Sequence, residues 1–376
     1  MNKKNKICFI LGHHPMITIG GTELQANLLI NELLSRGWKV EIVSQNQIDK
    51  YNEFKNHINN SLKHYYYRKG FFSIDKFIKI FVCLLRTNSY YYYQRLGHVH
   101  TGATALYCML FKKKMIYAIA ANLFTEKDSR KKKHKYEASK FNLKYFIKLF
   151  DLHIVDQFIS FGMKHSDLII TQTVFQKNKI KKNFGLDSFL LRNSYKFNDN
   201  EVQKKDNIIL WVGNMHKIKQ PEVFFRLIEE TNYPGWTYIM IGRPHLYFEL
   251  IKKNEKRERF KYLGELSFSD TIYWFKKSKI LINTSFTEGF SNTFIQAWYY
   301  RSLLLSYSVD PDYLISKYKY GIYLDGKFEN LKDKLSQAVN NYSQFVPLIN
   351  RAYIFVKSEF DLKKNTSLFQ QRISNL

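Results

Sequence analysis

The sequence KILINTSFTEGFSNTFIQAWYY, residues 279–300, joins a short apolar run, a polar turn and a second apolar segment. The run at 279–282 is typical of a buried strand, and residues 293–300 have the composition of a helix. Ser291 or Asn292 is expected to cap that helix, because a side-chain oxygen there accepts from the free amides of the first turn. The pattern therefore predicts a strand, a turn and a helix in direct succession.

The turn carries one acid, Glu288, at the carboxyl end of the predicted strand. Ligands of open α/β sheets bind beyond the carboxyl ends of the strands, and the amides and dipole of a helix N-terminus favour phosphate. Gln296 follows about two helical turns after Glu288. The turn is therefore a candidate seat for a phosphorylated ligand.

Glu288-Gly289-Phe290, followed by Gln296, resembles the signature of family 4 retaining glycosyltransferases of the GT-B fold. In that family the first Glu and the amides after it hold the donor sugar, and a second Glu holds the ribose hydroxyls of the nucleotide. The resemblance implies donor binding by Glu288, Gly289, Phe290, Ser291, Asn292 and, in the place of the second Glu, Gln296. An acid beside a helix N-terminus also has a purely structural explanation, since it stabilises the helix dipole.

A second loop extends the resemblance. Residues 208–214, IILWVGN, predict another strand, and Lys219-Gln220-Pro221 follows it. The family has a loop here that places a lysine on the donor diphosphate, so the resemblance makes Lys219 and Glu288 the catalytic residues and adds Gly213 and Asn214 to the donor site. Many relatives carry Arg where Asn214 stands, and Arg243 is the candidate for the missing charge. A solvated loop lysine is the alternative for Lys219.

The start of the chain shows a similar pattern. Residues 7–11 predict a strand, the next loop contains Gly20-Gly21-Thr22-Glu23, and residues 24–36 repeat leucine at helical spacing. Paired glycines let a backbone approach a ligand closely. The loop resembles the family's Gly-Gly-x-Glu loop, which assigns Gly21 to the donor and Gly20 and Glu23 to the acceptor side. An ordinary loop between strand and helix is the alternative.

Three polar residues further along are candidates for the acceptor side. His98 and His100 follow a predicted strand at 90–94, and Asn122 follows one at 115–120. Relatives often carry a histidine in this part of the first domain, near the acceptor. The alternative for both histidines is a place in a surface loop.

The resemblance covers most of the chain. It implies an α/β protein of the GT-B fold, with two Rossmann-like domains facing each other across a cleft. We expect an N-terminal acceptor-side domain over residues 1–200 and a C-terminal nucleotide-sugar-binding domain over 201–376. Relatives return a C-terminal helix to the first domain, and 348–362 is the candidate for it. Residues 45–75 show no clear period and are expected to be irregular.

The 376 residues contain 59 Lys and Arg against 32 Asp and Glu, a formal charge of +27 that favours anionic partners. A lysine-rich composition is also expected from an AT-rich genome. Residues 127–148 form a basic amphipathic segment suited to an anionic membrane, with a core-packed helix and a solvated lysine face as the alternative. Three scattered cysteines, no signal peptide and no long apolar span predict a cytoplasmic protein, or one at the inner face of the cytoplasmic membrane.

The resemblance implies a hexosyltransferase-type enzyme that moves a sugar from a nucleotide sugar to a glycan or polyprenyl-linked acceptor. The anomeric configuration of the sugar would be retained, and the product would be capsule or lipopolysaccharide. No metal or cofactor is expected, and Asp310-Pro311-Asp312 is interpreted as a proline-containing loop. Gln296 and Asn214 leave a catalytically degenerate member of the fold as an alternative. Nucleic-acid binding is a further alternative, which the absence of helix-turn-helix, zinc and RNA-binding signatures disfavours.

Overall fold

The computed structural model describes residues 5–14, 20–45, 61–137, 143–198 and 204–376. The chain divides into two units, of which one comprises Met1–Lys196 with Leu362–Leu376 and the other Phe197–Asp361. The predicted division at residue 200 lies outside the described residues, as do residues 138–142 of the predicted basic segment.

A parallel sheet forms the centre of the first unit. Its strands are β1 Lys6–Ile10, β2 Lys39–Gln45, β3 Leu62–Tyr67, β4 Tyr91–Gln94, β5 Lys114–Ala118, β6 Leu168–Thr171 and β7 Phe189–Leu190. They lie in the order β3-β2-β1-β4-β5-β6-β7, and every neighbouring pair is parallel. The order reverses between β1 and β4, which is the switch point of a Rossmann-like sheet.

Helices cover both faces of this sheet, as parallel sheets require. They are α1 Gly21–Ser35, α2 Ser73–Leu84, α3 Val99–Leu110, α4 Ser129–Glu137, α5 Leu143–Lys164 and α6 Val174–Phe184. Successive side chains of a strand point to opposite faces. Cys8 and Ile10 of β1 accordingly join the core beneath α2, α3 and α5, whereas Ile7 and Phe9 join the core beneath α1.

The end of the chain completes the first unit with a further helix, which spans Leu362–Ser374. Phe369 and Ile373 of this helix are buried in the α1-side core. The Arg36 guanidinium at the end of α1 donates to Ser367 Oγ at 2.9 Å and to Gln370 Oε1 at 2.7 Å. The prediction that 348–362 returns to the first domain was therefore wrong in position, because the returning helix begins at Leu362.

The second unit has its own parallel sheet. Its strands are β8 Asp206–Val212, β9 Thr237–Ile241, β10 Phe260–Tyr262, β11 Ser278–Asn283, β12 Leu303–Ser306 and β13 Ile322–Tyr323. Their order is β10-β9-β8-β11-β12-β13, again with every neighbouring pair parallel. The switch point lies between β8 and β11, so the loops after these two strands begin side by side.

The helices of the second unit are α7 Pro221–Glu230, α8 Phe248–Glu255, α9 Phe268–Lys277, α10 Asn292–Tyr299, α11 Phe328–Asn340 and α12 Val346–Glu359. The helix at Leu362–Ser374 is α13. One buried core joins residues of β8, β9, β11 and β12 to side chains of α7 and α11. Within the described ranges, no helix combines the length and apolar character needed to cross a bilayer.

The prediction that residues 45–75 are irregular was wrong for part of that segment. Residues 46–60 lie outside the described residues, but β3 pairs with β2 along Leu62–Tyr67. Its sequence LKHYYY lacks aliphatic alternation, and its strand tendency comes from tyrosine, which favours pleated, half-buried surfaces.

Candidate active site

The two residues predicted to be catalytic meet at the switch point of the second unit. Lys219 lies in the loop after β8, and its Nζ forms an ion pair with Oε1 of Glu288 in the loop after β11. The same carboxylate oxygen accepts from Ser285 Oγ at 2.8 Å. Both charged side chains are mostly shielded, with 27% of Lys219 and 15% of Glu288 exposed. A lysine and a carboxylate therefore stand where Rossmann-like sheets bind ligands.

Main-chain contacts fix the loop that carries Lys219. A 3₁₀ turn spans Lys217–Lys219, and Gln220 takes a left-handed backbone before Pro221 opens α7. The Lys219 carbonyl accepts from Thr284 Oγ1 at 2.6 Å, and the Ile218 carbonyl accepts from Phe286 N at 2.8 Å. The turn that holds the lysine is thus bonded to the loop that holds the glutamate.

Two glycines approach each other closely beside the Lys219 side chain. Gly242, after β9, has φ of +139°, and a Cβ there would collide with the carbonyl oxygen of Gly213. Gly213 N in turn donates to the Ile241 carbonyl at 2.9 Å. The predicted donor residue Gly213 therefore lies against β9, and glycine is required at 242 by both backbone conformation and space.

The helix that follows Glu288 differs in detail from the prediction. Ser291 occupies the N-cap position of α10, but its hydroxyl lies 2.9 Å from Thr293 Oγ1 and makes no capping bond to the backbone. Asn292 is the first helical residue, and Gly289 is buried. Gln296 is buried in the second turn, at 5% exposure.

The prediction for Phe290 concerned its main-chain amide, and its side chain has a separate, structural role. Its ring packs against Phe294, Trp298 and Phe360, with a centroid distance of 4.9 Å to Phe360. The ring belongs to the aromatic core behind α10, so only the main chain of Phe290 is left for contact with a donor.

Asn214 and Arg243 meet through the backbone. Asn214 Oδ1 accepts from Arg243 N at 3.3 Å, and Met215 N donates to the Arg243 carbonyl at 2.9 Å. The Arg243 guanidinium, however, makes a two-point ion pair with Glu265, with both contacts at 2.6 Å. This partner raises the pKa of Arg243. Arg243 was expected to supply the positive charge that relatives have in an arginine at the position of Asn214. In this structure that charge is paired with Glu265.

Gly20 and Glu23 in the first unit form a compact turn at the start of α1. Gly20 is the N-cap, and Gly21 begins the helix. The Glu23 carboxylate folds back so far that a Cβ on Gly20 would stand 2.5 Å from Oε2. Glu23 is buried, and burial raises the pKa of its carboxyl, against smaller lowering effects of a hydrogen bond from its own backbone and of His13 and Arg95. Glu23 is thus a shielded acid near a basic side chain, and its carboxylate would have to move to admit a larger residue at position 20.

Arg95, at the end of a predicted strand that was expected to face the cleft, was not counted among the candidate site residues. Its guanidinium donates to Asn193 Oδ1 at 2.7 Å and to the Tyr93 hydroxyl at 3.1 Å. Gln25 of α1 joins the same end of the sheet, since it donates to the Ser194 carbonyl at 2.9 Å and accepts from Ser194 N at 2.7 Å. An arginine directly after a strand end was the available signal for this cluster.

The two histidine candidates are built into the fold. Val99 N donates to His98 Nδ1 at 2.9 Å, so His98 caps α3, and burial lowers its pKa to about 3. His100 Nε2 lies 2.6 Å from the Tyr67 hydroxyl in the core, and burial holds its pKa well below the usual range. Neither is a surface loop histidine, and both side chains are neutral at physiological pH.

Asn122 opens a 3₁₀ turn, Asn122–Thr125, after β5. Its Oδ1 accepts from Gln176 Nε2 at 3.1 Å. The turn thereby links the ends of β5 and β6, and Asn122 keeps a place at the carboxyl edge of the sheet.

Asp310 has a structural role. Its carboxylate accepts from Ile315 N at 2.8 Å and from Ser316 N at 3.1 Å, as a cap of the following turn. Asp312 has φ of +53° within a short 3₁₀ turn. Across the described part of the chain, no group of three or more His, Cys, Asp or Glu side chains could hold a metal ion.

Comparison with known proteins gives both a family match and a fold. Residues 194–354 match the family model described as "Glycosyl transferases group 1". No curated protein matches the sequence. Among solved structures, HepE of Anabaena in complex with UDP and glucose is 12% identical, covers 99% of this chain and 100% of its own, and gives a TM-score of 0.74.

Two further structures have the same architecture. The sucrose-phosphate synthase of Thermosynechococcus elongatus is 10% identical, with 99% of this chain and 100% of that chain covered and a TM-score of 0.76. WaaG, a glycosyltransferase involved in lipopolysaccharide biosynthesis, is 12% identical, with 98% and 99% covered and a TM-score of 0.72. At these identities the likeness is one of fold. The chain has the GT-B fold of glycosyltransferases, and its residues 194–354 carry the sequence pattern of glycosyl transferases group 1.

Proposed function

We propose that this protein is a retaining glycosyltransferase of the hexosyl type, which moves a sugar from a nucleoside-diphosphate sugar to a glycan or lipid-linked glycan. The observation that carries the proposal is the contact of Lys219 Nζ with Glu288 Oε1 at the switch point between β8 and β11. The pair lies inside the stretch that matches glycosyl transferases group 1. The Anabaena protein with the same fold was solved with UDP and glucose.

Lys219 would stabilise the leaving group. When the anomeric C–O bond of a sugar nucleotide breaks, the departing diphosphate gains negative charge. Fixed donors aimed at developing charge usually make the largest contribution to catalysis. An ammonium group and the N-terminus of α10, whose N-cap side chain makes no capping bond, are suited to that task.

Glu288 would orient the donor sugar. Without a donor its carboxylate is held by Lys219 and by Ser285 Oγ. Binding would exchange this ion pair for two new contacts, Lys219 with the diphosphate and Glu288 with sugar hydroxyls. Ser285 would keep the carboxylate in position during the exchange, so it acts as a positioning residue.

Gln296 would face the ribose. A glutamine offers one acceptor oxygen where a carboxylate offers two, and it adds an NH₂ donor. Because the side chain is buried in α10, its place is fixed by the helix. We therefore propose a working site with weakened ribose anchoring.

Retention would proceed on one face of the sugar, with the diphosphate itself taking the acceptor proton. Retaining glycosidases instead use two carboxylates about 5–5.5 Å apart. The turn at residues 284–291 contains Glu288 as its one acid. The proposed reaction uses neither a metal ion nor a cofactor.

The acceptor would be taken by the first unit. Glu23 is a shielded carboxyl with a raised pKa, and Asn122 stands at the carboxyl edge of the sheet. The side chains of His98 and His100 are engaged in capping α3 and in the core. Glu23 and Asn122 are therefore the better candidates for contact with the acceptor.

We further propose contact with an anionic membrane, through an apolar end of the first unit where α2 and α5 begin. Ser73 N donates to Asp151 Oδ1 at 2.8 Å, so the start of α2 lies against the third turn of α5, about 12 Å along the helix from Leu143. The exposed apolar side chains of this end are Phe71, Phe72, Ile74, Leu143, Phe146, Ile147 and Phe150. Exposed Arg68, Lys69, Lys144 and Lys148 neighbour them in sequence.

This apolar end suits a lipid-linked acceptor. Helices that connect parallel strands run antiparallel to them, so α2 and α5 both begin at the carboxyl edge of the sheet, where ligands bind. A cluster of exposed apolar groups with basic neighbours has the chemistry of an interfacial membrane contact. We therefore propose that the protein works at the inner face of the cytoplasmic membrane, in assembling a surface polysaccharide.

Sugar-nucleotide hydrolysis by the purified protein tests the central proposal. The wild type is screened by thermal shift against UDP, GDP, ADP, CDP and their sugars, and the donor that stabilises it is used in a turnover assay. Glu288→Ala should lower turnover by about 10²-fold or more, the effect of losing one well-placed polar group. Ile354→Ala, an exposed position on α12, serves as a control. Normal turnover in Glu288→Ala, or no turnover by the wild type with any donor, would contradict the proposal and favour the degenerate alternative.

A further inference from the structure

A basic pocket outside the candidate active site lies on the first unit, between α6 and the segment that follows β5. It is lined by Glu126, Lys127, Lys132, Lys179, Lys182 and Asn183, and its volume is about 390 Å³. Small-molecule pockets commonly measure about 300–1,000 Å³, so this one has room for a compact charged group.

Positive charge in the pocket is largely uncompensated. Lys132 pairs with Glu126 at 2.7 Å, and this pairing lowers the pKa of the Glu126 carboxyl. Among the described residues, no carboxylate lies within ion-pair distance of Lys127, Lys179 or Lys182. Four lysines and one glutamate thus leave an excess of three positive charges.

Neighbouring lysines on the same elements behave differently. Lys181 of α6 pairs with Asp187 at 2.9 Å, and Lys131 of α4 pairs with Asp128 at 2.8 Å. Neither lines the pocket, and both have carboxylate partners. The pocket lysines Lys179 and Lys182 thus differ from Lys181 of the same helix, which has a carboxylate partner.

The walls of the pocket are held in place. Asn183 Nδ2 donates to the Thr125 carbonyl at 2.8 Å, which ties α6 to the turn after β5. Thr125 is buried, and its hydroxyl donates to the Asn122 carbonyl at 2.7 Å. The chain thus runs from Asn122, at the carboxyl edge of the sheet, directly into the pocket wall at Glu126.

We propose that this pocket binds a phosphate group carried by the acceptor. The proposal rests on the proposed function, in which the first unit takes the acceptor. Lysines act as point charges that bind phosphate oxygens, and a phosphate group matches an excess of several positive charges better than a single carboxylate does. The acceptor is then a phosphate-bearing glycan.

The test uses inorganic tripolyphosphate as the probe, measured by titration calorimetry on the full chain. Lys219→Ala is the reference protein, so that the donor site does not contribute. Adding Lys179→Ala and Lys182→Ala should weaken binding about tenfold or more, because two of the four lysines that line the pocket are removed. The matched control adds Lys177→Ala and Lys181→Ala, which remove the same charge from the same helix and should change affinity less than about twofold.

The proposal would be overturned if the two added lysine pairs weakened tripolyphosphate binding equally, or if the reference protein did not bind tripolyphosphate. A parallel arm measures sedimentation with vesicles of anionic phospholipid, where the Lys179→Ala/Lys182→Ala protein should bind like the wild type. Loss of vesicle binding in that variant would identify the bound phosphate as a lipid headgroup and overturn the assignment to the acceptor. Tripolyphosphate binding does not require turnover, so the two proposals can fail separately. If the pocket variants lose binding as expected but the wild type hydrolyses no sugar nucleotide, the anion site is supported and the proposed function is contradicted.

Discussion

The hydroxyl of Thr284 donates to the carbonyl oxygen of Lys219 at 2.6 Å, so the glutamate loop fixes the backbone of the lysine loop. Thr284 Oγ1 itself accepts from Trp211 Nε1 at 2.9 Å. Thr284→Val keeps the shape but leaves both partners unpaired, at about 1–3 kcal/mol for each buried polar group. We expect weaker binding of nucleoside diphosphate, by about tenfold, and a lower melting temperature. Thr284→Ser should restore both, and equal losses in the two variants would contradict this role.

Lys219→Ala should weaken binding of the bare nucleoside diphosphate as well as the sugar nucleotide, because the proposed contact is with the diphosphate. We expect a loss of about 1.5–3 kcal/mol, the range for hydrogen bonds to charged groups. Titration calorimetry measures it, with Lys217→Ala from the same 3₁₀ turn as the matched control. Unchanged affinity for the bare diphosphate in Lys219→Ala would rule out this contact.

Gln296→Glu should tighten nucleotide binding by a few-fold to tens-fold. A hydrogen bond to a charged group contributes about 1.5–3 kcal/mol against about 1 for a neutral one, and the two side chains are nearly the same size. Calorimetric titration of nucleoside diphosphate into both proteins gives the answer. Binding that stays the same or weakens would mean that residue 296 does not hold the ribose.

His98 makes α3 sensitive to acid. Only a neutral imidazole can accept at Nδ1 from Val99 N. The folded-state pKa is about 3, against about 6.5 in an unfolded chain. The unfolded state therefore binds the extra proton between these values, and stability falls as pH drops from about 6.5 towards 3.

His98→Asn keeps a capping acceptor and removes the titration. Between pH 6 and 5 we expect the free energy of unfolding to fall less steeply in this variant, by up to about 1.4 kcal/mol per pH unit. Denaturant unfolding at each pH measures both slopes. Parallel slopes would show that the cap at His98 does not control the acid response.

The apolar end of the first unit should govern vesicle binding. Phe150→Glu places an acid among exposed apolar groups and should reduce sedimentation with anionic phospholipid vesicles several-fold, since buried apolar area and charge attraction both fall. Ile354→Glu is the control, because Ile354 and Phe150 are similarly exposed, at 68% and 69%, but Ile354 lies on α12 of the second unit. Equal reductions in both proteins would point to net charge alone.

Continuous apolar runs made much of the fold predictable. The runs IILWV at β8 and KILIN at β11 are typical of buried parallel strands. The polar residues that follow them mark the carboxyl edge of the sheet, where Lys219 and Glu288 meet. Strand β3 was missed because tyrosine and lysine conceal its half-buried position. Strand β13 was missed because two residues carry no period.

Side-chain roles were less predictable than positions. Phe290 lies in the predicted motif, yet its ring packs against Phe360, a partner distant in sequence. His98 follows a strand end as expected, but its capping role depends on where α3 begins. Arg243 pairs with Glu265 through a neighbouring loop, which neither spacing nor composition reveals. The outcomes for Phe290 and Arg243 depend on tertiary contacts between separate segments, and the outcome for His98 depends on the exact start of a helix.

The placement of α13 has a consequence for synthesis of the protein. The second unit is one continuous length of chain, whereas the first needs both the start of the chain and its last residues, Leu362–Leu376. At about 5–20 residues per second, a ribosome takes roughly ten to thirty seconds to make the second unit. Throughout that time the apolar surface that Phe369 and Ile373 later bury beside α1 has no cover. The unit made first is therefore finished last, and a nascent chain that stops before Leu362 leaves this surface open to chaperones and proteases.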